Sequence, residues 1–504
     1  MPIPCRLLRK AVPTIAALFL LGSGLLPESR AQDLTADDLA QHERSADVDD
    51  LLARLQTLEQ EHAALKAALT ERLDEESDEL TDAAGVDHEA RLAALEAAFV
   101  EPHALAPTTS TPSLPNFPTI TVNGVFQADV GWFQQDADSL ARFGRIQDGA
   151  DFRRARLSAK GSVTLQTNYF MQFDFGFFGR PTFTDLWIEQ TELPVVGTVR
   201  IGQWKQPFSL EVVSSFRYTT FMERSVLFQP FTPFRHLGVG FYNHNDELTS
   251  TWAASVFRSG QDQFGGSIST DGGWGTAERI TWLPLWECDG EEYLHLGAAH
   301  FFNAPPRDLI NFRTIPEFFI GANANGLVGT SGQPVPGAHD GTPFFVATGP
   351  LAVNAYNVVG GELLWVRGPW SLQSEAMVNF VSQPGGELRV LSGAYAQAGC
   401  FLTGEHRPYD RKAGAIDRIL PFHDFLTGDA AGWGAWELAA RFSYIDLNDG
   451  GIAGGSMIDY TAGLNWYWNR YTKVVFNYVA ANPDHPTLGT SWTHMYGLRA
   501  QIDF

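Results

Sequence analysis

Residues 151–161 read DFRRARLSAKG, and the period of this stretch decides what kind of protein the chain makes. Arg154, Arg156, Ser158 and Lys160 share one parity, while Ala155, Leu157 and Ala159 take the other. A β-strand sends those two sets to opposite faces, one cationic and one greasy. A soluble sandwich buries the apolar face in a core and leaves the basic face to water or an anionic ligand. A membrane barrel instead turns the apolar face to lipid and the basic face to a wet lumen.

The same scheme recurs to the C-terminus. In AWELAARFSY the outward set is Trp436, Leu438, Ala440, Phe442 and Tyr444, against Glu437, Ala439, Arg441 and Ser443. DYTAGLNWYW sets Tyr460, Ala462, Leu464, Trp466 and Trp468 against Asp459, Thr461, Gly463 and Asn465, and MYGLRAQIDF places Arg499, Gln501 and Asp503 inward. Aromatics gather near the ends of the apolar face, as girdles at two membrane interfaces require, whereas a sandwich collects them mid-strand. Connections alternate in length, from the brief Glu192 to Gly197 turn to the long Phe302 to Pro350 and Gln383 to Leu391 stretches. Short turns on the periplasmic side and long loops outside suit an outer-membrane barrel. The predicted fold is all-β: a transmembrane antiparallel β-barrel over 119–504, of roughly 16 strands with 9–11 residues per span.

The N-terminal part is of another kind. Arg6, Arg9 and Lys10 precede the apolar run Ala11 to Leu26, and Ser29-Arg30-Ala31 resembles a cleavage site, so residues 1–31 read as a secretory signal peptide. Residues 32–100 read as a periplasmic helical segment. Leu51, Leu55, Leu58, Leu65 and Leu69 keep a 4-3 spacing with His62 on the seam, as in a coiled coil or a single amphipathic helix. Residues 101–118, rich in Pro, Ser and Thr, read as a tether.

A net charge of -23 argues against nucleic acid as a partner. With Cys5 in the signal, Cys288 and Cys400 remain, too few for a disulfide framework although they could pair. DLNDGG at Asp446 to Gly451 departs from EF-hand spacing and reads as a hairpin turn. No G-x-S-x-G elbow, G-x-x-x-x-G-K-[ST] loop or H-E-x-x-H is found, so no enzyme, cofactor or metal is expected.

The combination DFRRARLSAKG, MQFDF, RIGQWKQPFSLEVVSS and FMERS, followed by FLTGEHRPYDRKAG, GAWELAARFSYIDLNDGG and YTAGLNWYWN, resembles the phosphate-selective porins of bacterial outer membranes, O and P type. That resemblance implies a 16-stranded barrel, homotrimers, and passage of phosphate or polyphosphate through an arginine-lined lumen. Ser214 and Ser215 match the family's hydroxyl pair and Glu211 its preceding Glu, but the lysine expected next is Val212. After Thr119 the only lysines are Lys160, Lys205, Lys412 and Lys473. An arginine ladder still offers planar forks to phosphate.

The pore-lining and anion-binding candidates are therefore Arg154, Arg156, Lys160, Arg200 and Arg441 from strand parity, with Ser214, Ser215, Arg217, Arg224 and Arg235 on a loop folded inward after PFSLE. Asp174, Asp185, Glu189 and Glu437 have the parity to pair with such arginines and merely brace the wall. The expected partners are outer-membrane lipid, small anionic solutes and two further copies of the chain, with a periplasmic or cell-wall contact through the helices. The other reading is a structural anchor whose coiled coil binds the cell wall or a periplasmic partner. Neutralising Arg154 and Arg156 together is expected to shift the reversal potential in planar bilayers toward cations; an unchanged potential assigns both to bracing.

Overall fold

Alternation of apolar and polar residues at period 2 runs through the segments after Ile120, and each becomes a strand. The computed structural model describes residues 117–176, 181–260, 273–321, 341–426 and 432–504. The expected signal peptide, the helical segment and all but the last two residues of the tether lie outside them. The strands are β1 Thr121–Gln135, β2 Gly149–Ser162, β3 Thr167–Asp174, β4 Thr182–Leu193, β5 Gly197–Lys205 and β6 Arg235–His244. They continue with β7 Ser250–Arg258, β8 Trp274–Glu287, β9 Glu292–Ala304, β10 Ala355–Arg367 and β11 Trp370–Ser382. The last are β12 Leu388–Phe401, β13 Ala435–Asp449, β14 Ile452–Asn469, β15 Thr472–His485 and β16 Thr493–Asp503.

Each strand pairs antiparallel with the next, and β1 closes on β16 in a register that sets Val125 opposite Asp503. The result is a closed 16-strand barrel, which leaves no sheet edge unpaired. Outside, aliphatic side chains such as Ile188 and Ile280 stand 56% and 58% exposed. Trp252, Trp365, Trp370, Trp436 and Trp466 ring the end nearer the termini, and Trp132, Trp274 and Trp492 the other. That is the lipid-facing belt with two aromatic girdles anticipated from the sequence.

Several connections differ from expectation. β11 and β12 are joined by residues 383–387 alone, and Arg235 opens β6 instead of lying on the loop before it. The Asp446–Gly451 stretch is, as expected, the tip of a hairpin, pairing Asn448 with Ala453 and Asp449 with Ile452. Cys400 is a free thiol, so it does not pair with Cys288. Most connections at the terminal end are short, but the described residues between β12 and β13, 402–426 and 432–434, form a long strap at that end.

The wet interior deduced from parity holds only in part of the terminal half, since inward Tyr293, Leu364 and Val366 pack there with Leu210, Tyr409 and Ile416 in a smaller apolar cluster. In the other half the inward residues are Phe301, Val358, Met377, Leu391, Ile445 and Met495, and they enclose an apolar core. Two long loops fill it: 206–234 supplies Phe208, Met222, Leu227 and Phe231, and the described parts of 305–354, residues 305–321 and 341–354, supply Phe312, Phe318 and Phe345. Phe318 stacks on Phe133 at 5.8 Å and lies against the bare backbone of Gly131 and Gly497, where an added Cβ would sit 2.6 and 2.4 Å from its ring.

Gly497→Leu is therefore expected to expel Phe318, costing about 1–3 kcal/mol. The strand ladder survives, so thermal unfolding in detergent shifts down while single-channel conductance rises as loop 305–354 leaves the lumen.

Candidate permeation site

Loop 206–234 enters the barrel after β5 through local turn chemistry. Ser209 takes φ 68°, and its hydroxyl accepts the Val212 N–H at 3.3 Å to start the single-turn helix α1, Leu210–Val213. The Leu210 and Glu211 N–H groups, which lack intrahelical acceptors, donate at 3.1 and 2.9 Å to the carboxylate of Glu375 on β11. At the other end the Lys205 ammonium donates to the carbonyls of Val212, Val213 and Ser214 at 2.6, 3.0 and 2.8 Å. Both ends of α1 are thus fastened to wall strands.

Wall arginines then lock the loops. Arg441 donates to Glu317 of loop 305–354 at 2.7 Å, to Glu211 at 3.2 Å and to the Glu223 carbonyl at 3.1 Å. Arg499 holds Asp129 of β1 at 2.7 and 2.6 Å and Glu223 at 2.7 Å. Arg153 completes the set, donating to both Glu223 oxygens at 2.8 and 2.9 Å. A β-bulge between Gln127 and Ala128 of β1 sets Gln127 opposite Arg154 and Ala128 opposite Phe152, leaving Arg153 as the extra residue. It therefore points inward beside Arg154. Burial pushes the Glu223 carboxyl up, but the guanidiniums of Arg153, Arg154 and Arg499 more than reverse this and hold it well below the usual carboxylate range.

The strap carries its own anchors. Arg407 pairs with Glu437 of β13 and donates to the Tyr218 carbonyl at 3.2 Å. Tyr409 meets His295 Nδ1 at 2.6 Å, and Ile416 N–H donates to Ser214 Oγ at 3.0 Å. Arg279 of β8 donates to Glu362 at 2.7 Å and to the Gly414 carbonyl at 2.8 Å.

Most of the sequence candidates meet here, and most of the charged ones are paired. Arg154 donates to Gln127 at 2.8 Å and lies 3.9 Å from Glu223, while Arg156 pairs with Asp174 at 2.7 Å. Arg200 pairs with Glu189 at 2.6 Å, its guanidinium 4.1 Å from the Trp187 ring centre and 4.9 Å from that of Tyr242. Arg235 pairs with Asp185 at 2.7 Å, and Arg217 lies 3.7 Å from Asp503. Ser215 accepts from the Arg217 N–H at 3.4 Å. Arg224 donates instead to the carbonyls of Glu211 and Ser214 at 2.9 and 3.4 Å, and burial lowers its guanidinium to about 10. Lys160 is exposed near the terminal edge of β2, apart from the cluster.

Parity had already turned Arg499 inward, yet nothing local marked its role. Glu223 and Glu317 arrive on loops, and Arg153 depends on a bulge in another strand. Beneath α1 lies a chamber of about 1000 Å³ walled by Glu189, Arg200, Lys205, Tyr242, Arg279 and Lys412 among others. Across the strap a cleft gathers Arg217, Arg418, Arg470 and Lys473 around one carboxylate, Asp503.

A family model described as phosphate-selective porin O and P matches residues 120–504. Porin O of Pseudomonas aeruginosa is 23% identical over 400 residues, 73% of this chain and 83% of that protein. A protein of Caulobacter vibrioides is 26% identical over 370 residues, 70% of this chain and 67% of that one. Among solved structures, the anion-selective porin from Comamonas acidovorans superposes with a TM-score of 0.48 at 13% identity, over 77% of this chain and 100% of that one. The trimer form of OmpT from Vibrio cholerae gives 0.46 at 10%, over 77% and 99%.

Removing the Glu223 charge leaves Arg153 and Arg499 buried without their shared acceptor, so Glu223→Gln is expected to lose roughly 3–5 kcal/mol of stability in denaturant titration. A depressed carboxyl stabilises the fold above its unfolded value near ~4.3 and loses that contribution as pH falls further. Wild-type stability should accordingly drop through acid pH more steeply than that of the Gln variant.

Proposed function

The chain belongs to the phosphate-selective porin O and P family, and on that premise we propose that its barrel passes small anions, phosphate among them, by diffusion across the outer membrane. The observation carrying this reading is the set of inward cations whose hydrogen bonds go to backbone carbonyls. Lys205 and Arg224 are two, and Lys473, which donates to the Thr219 carbonyl at 3.1 Å, is a third. Their charge is not spent on a bound carboxylate. Together with Arg217, Arg418 and Arg470 around Asp503, they enrich the interior near loop 206–234 in cations. A positive lumen between low-dielectric walls concentrates anions. Several moderate sites also permit release, which one tight site does not. Val212 in place of the family's lysine leaves phosphate preference to arginine forks, and the paired candidates Arg154, Arg156, Arg200, Arg235 and Arg441 hold the wall around them.

The remaining architecture follows the same proposal. Residues 1–31 direct export, 32–100 form a periplasmic coiled coil joined by 101–118, and three copies assemble in the outer membrane. The trimer form of a barrel with this fold supports that assembly. One observation favours a second reading, a structural anchor: the apolar core that loops 206–234 and 305–354 build inside the barrel. A closed plug predicts no conductance at all.

Purified wild-type protein in a KCl gradient across a planar bilayer is expected to give an anion-side reversal potential. Replacing Arg217, Arg418 and Lys473 with Gln should lower the anion-to-cation permeability ratio at least ~3-fold. Inorganic phosphate added to one side should reduce the chloride current. Cation preference in the wild type overturns the proposal, and absence of channels supports the anchor.

A further inference from the structure

The strap does not stay in the lumen. After Ile416 it passes Ile419, which packs with Phe401, Ala435 and Tyr467 just inside the rim, and then crosses to the outer surface. There the Phe425 ring lies 4.6 Å from Trp466 and 5.7 Å from Trp468, two indoles on the outward parity of β14. Phe425 N–H donates to the Trp468 carbonyl at 2.7 Å. The Trp433 carbonyl accepts the indole N–H of Trp436 at 3.1 Å and of Trp466 at 2.7 Å. The crossing segment is therefore built onto the tryptophan girdle.

Its own apolar side chains face away from the protein. Leu420, Phe422, Leu426 and Trp433 stand 53%, 63%, 75% and 76% exposed, with His423 and Asp424 exposed beside them. Aliphatic and aromatic groups on one side of a short segment, polar groups next to them, and placement at girdle height are what a chain lying in the headgroup–acyl boundary shows. We propose that residues 420–426 and 432–433 are a bilayer-docking foot, with Leu420, Phe422, Leu426 and Trp433 immersed in the phospholipid interface of the leaflet nearer the termini. A second copy of the chain fits less well, because the patch sits at the rim nearer the termini, at the same end as the exposed Leu438 of the wall that faces lipid. Because the same strap latches Ser214 and Tyr218 of loop 206–234 from inside, the foot fastens that loop to the membrane. The proposal depends on the barrel spanning a bilayer and not on what the lumen conducts, so a barrel without conductance leaves it standing.

The test places a nitroxide at Phe422→Cys or, independently, Leu426→Cys, each in a Cys288→Ser, Cys400→Ser background of the full chain. The protein is folded into phosphatidylethanolamine–phosphatidylglycerol vesicles, with insertion confirmed by the heat-dependent gel shift of an intact barrel. A label at Leu488→Cys, on the loop at the opposite end, supplies the water-exposed reference. Power saturation is expected to show collision with oxygen exceeding collision with a water-soluble nickel complex at both foot positions, and the reverse at Leu488. Nickel access at the foot equal to that at Leu488 overturns the proposal. Low access to both reagents overturns it too, and identifies protein, a second copy included, as the cover.

Discussion

Arg441 is the side chain on which the interior depends. It projects from β13 into the barrel, is 4% exposed, and meets groups of two different loops: Glu211 and the Glu223 carbonyl from 206–234, and Glu317 from 305–354. Glu317 in turn accepts from Ser443 and Thr461, and its N–H donates to Asp459 at 2.9 Å. An ion pair this dry earns little net stability over an apolar replacement, but breaking it strands a buried charge. The arrangement therefore acts through specificity: loops long enough to adopt many paths are left with one that satisfies every charge. Loop closure costs only slowly more with length, which makes such long inward loops affordable in a barrel already closed by its strand ladder.

The barrel itself was legible because period 2 is written locally. Parity sorted Trp436 from Glu437 and Leu498 from Arg499, and the closed ladder keeps those assignments. It failed where one strand's side-chain direction is decided by another strand. Arg153 has the parity of the greasy face, and only the bulge opposite Gln127 turns it inward. Pairing was legible in kind and not in partner: Asp174, Asp185, Glu189 and Glu437 have the parity to brace arginines and do so, yet nothing in the sequence sets Glu437 with Arg407 from a distant strap. Loop positions have no period at all, so Glu223 and Glu317 carried no signal of their destination.

The apolar half of the lumen shows a further limit of reading faces by alternation. Met377, Leu391 and Ile445 are inward by parity just as Glu375, Gln397 and Arg441 are, and a two-way choice between lipid and water has no place for them. Their partners are Phe312 and Phe345, brought in by chain that is remote in sequence. A transmembrane barrel can thus contain a soluble-type core, driven by the ordinary removal of apolar surface from water.

That division of the interior bears on where selectivity arises. The apolar core holds loops 206–234 and 305–354 at one level, and below it the charged groups begin together: Arg154, Arg441 and Arg499 on the wall, Lys205 and Arg224 around α1. A charge acts most strongly on a permeant ion where water is thinnest, because the low-dielectric core above concentrates its field into the polar layer beneath. The chamber under Arg200 carries balanced charge and the cleft at Asp503 an excess of cations, and residues of the strap line both. The strap, fixed inside by Arg407 and crossing the rim at Ile419, is the partition that keeps the two environments distinct.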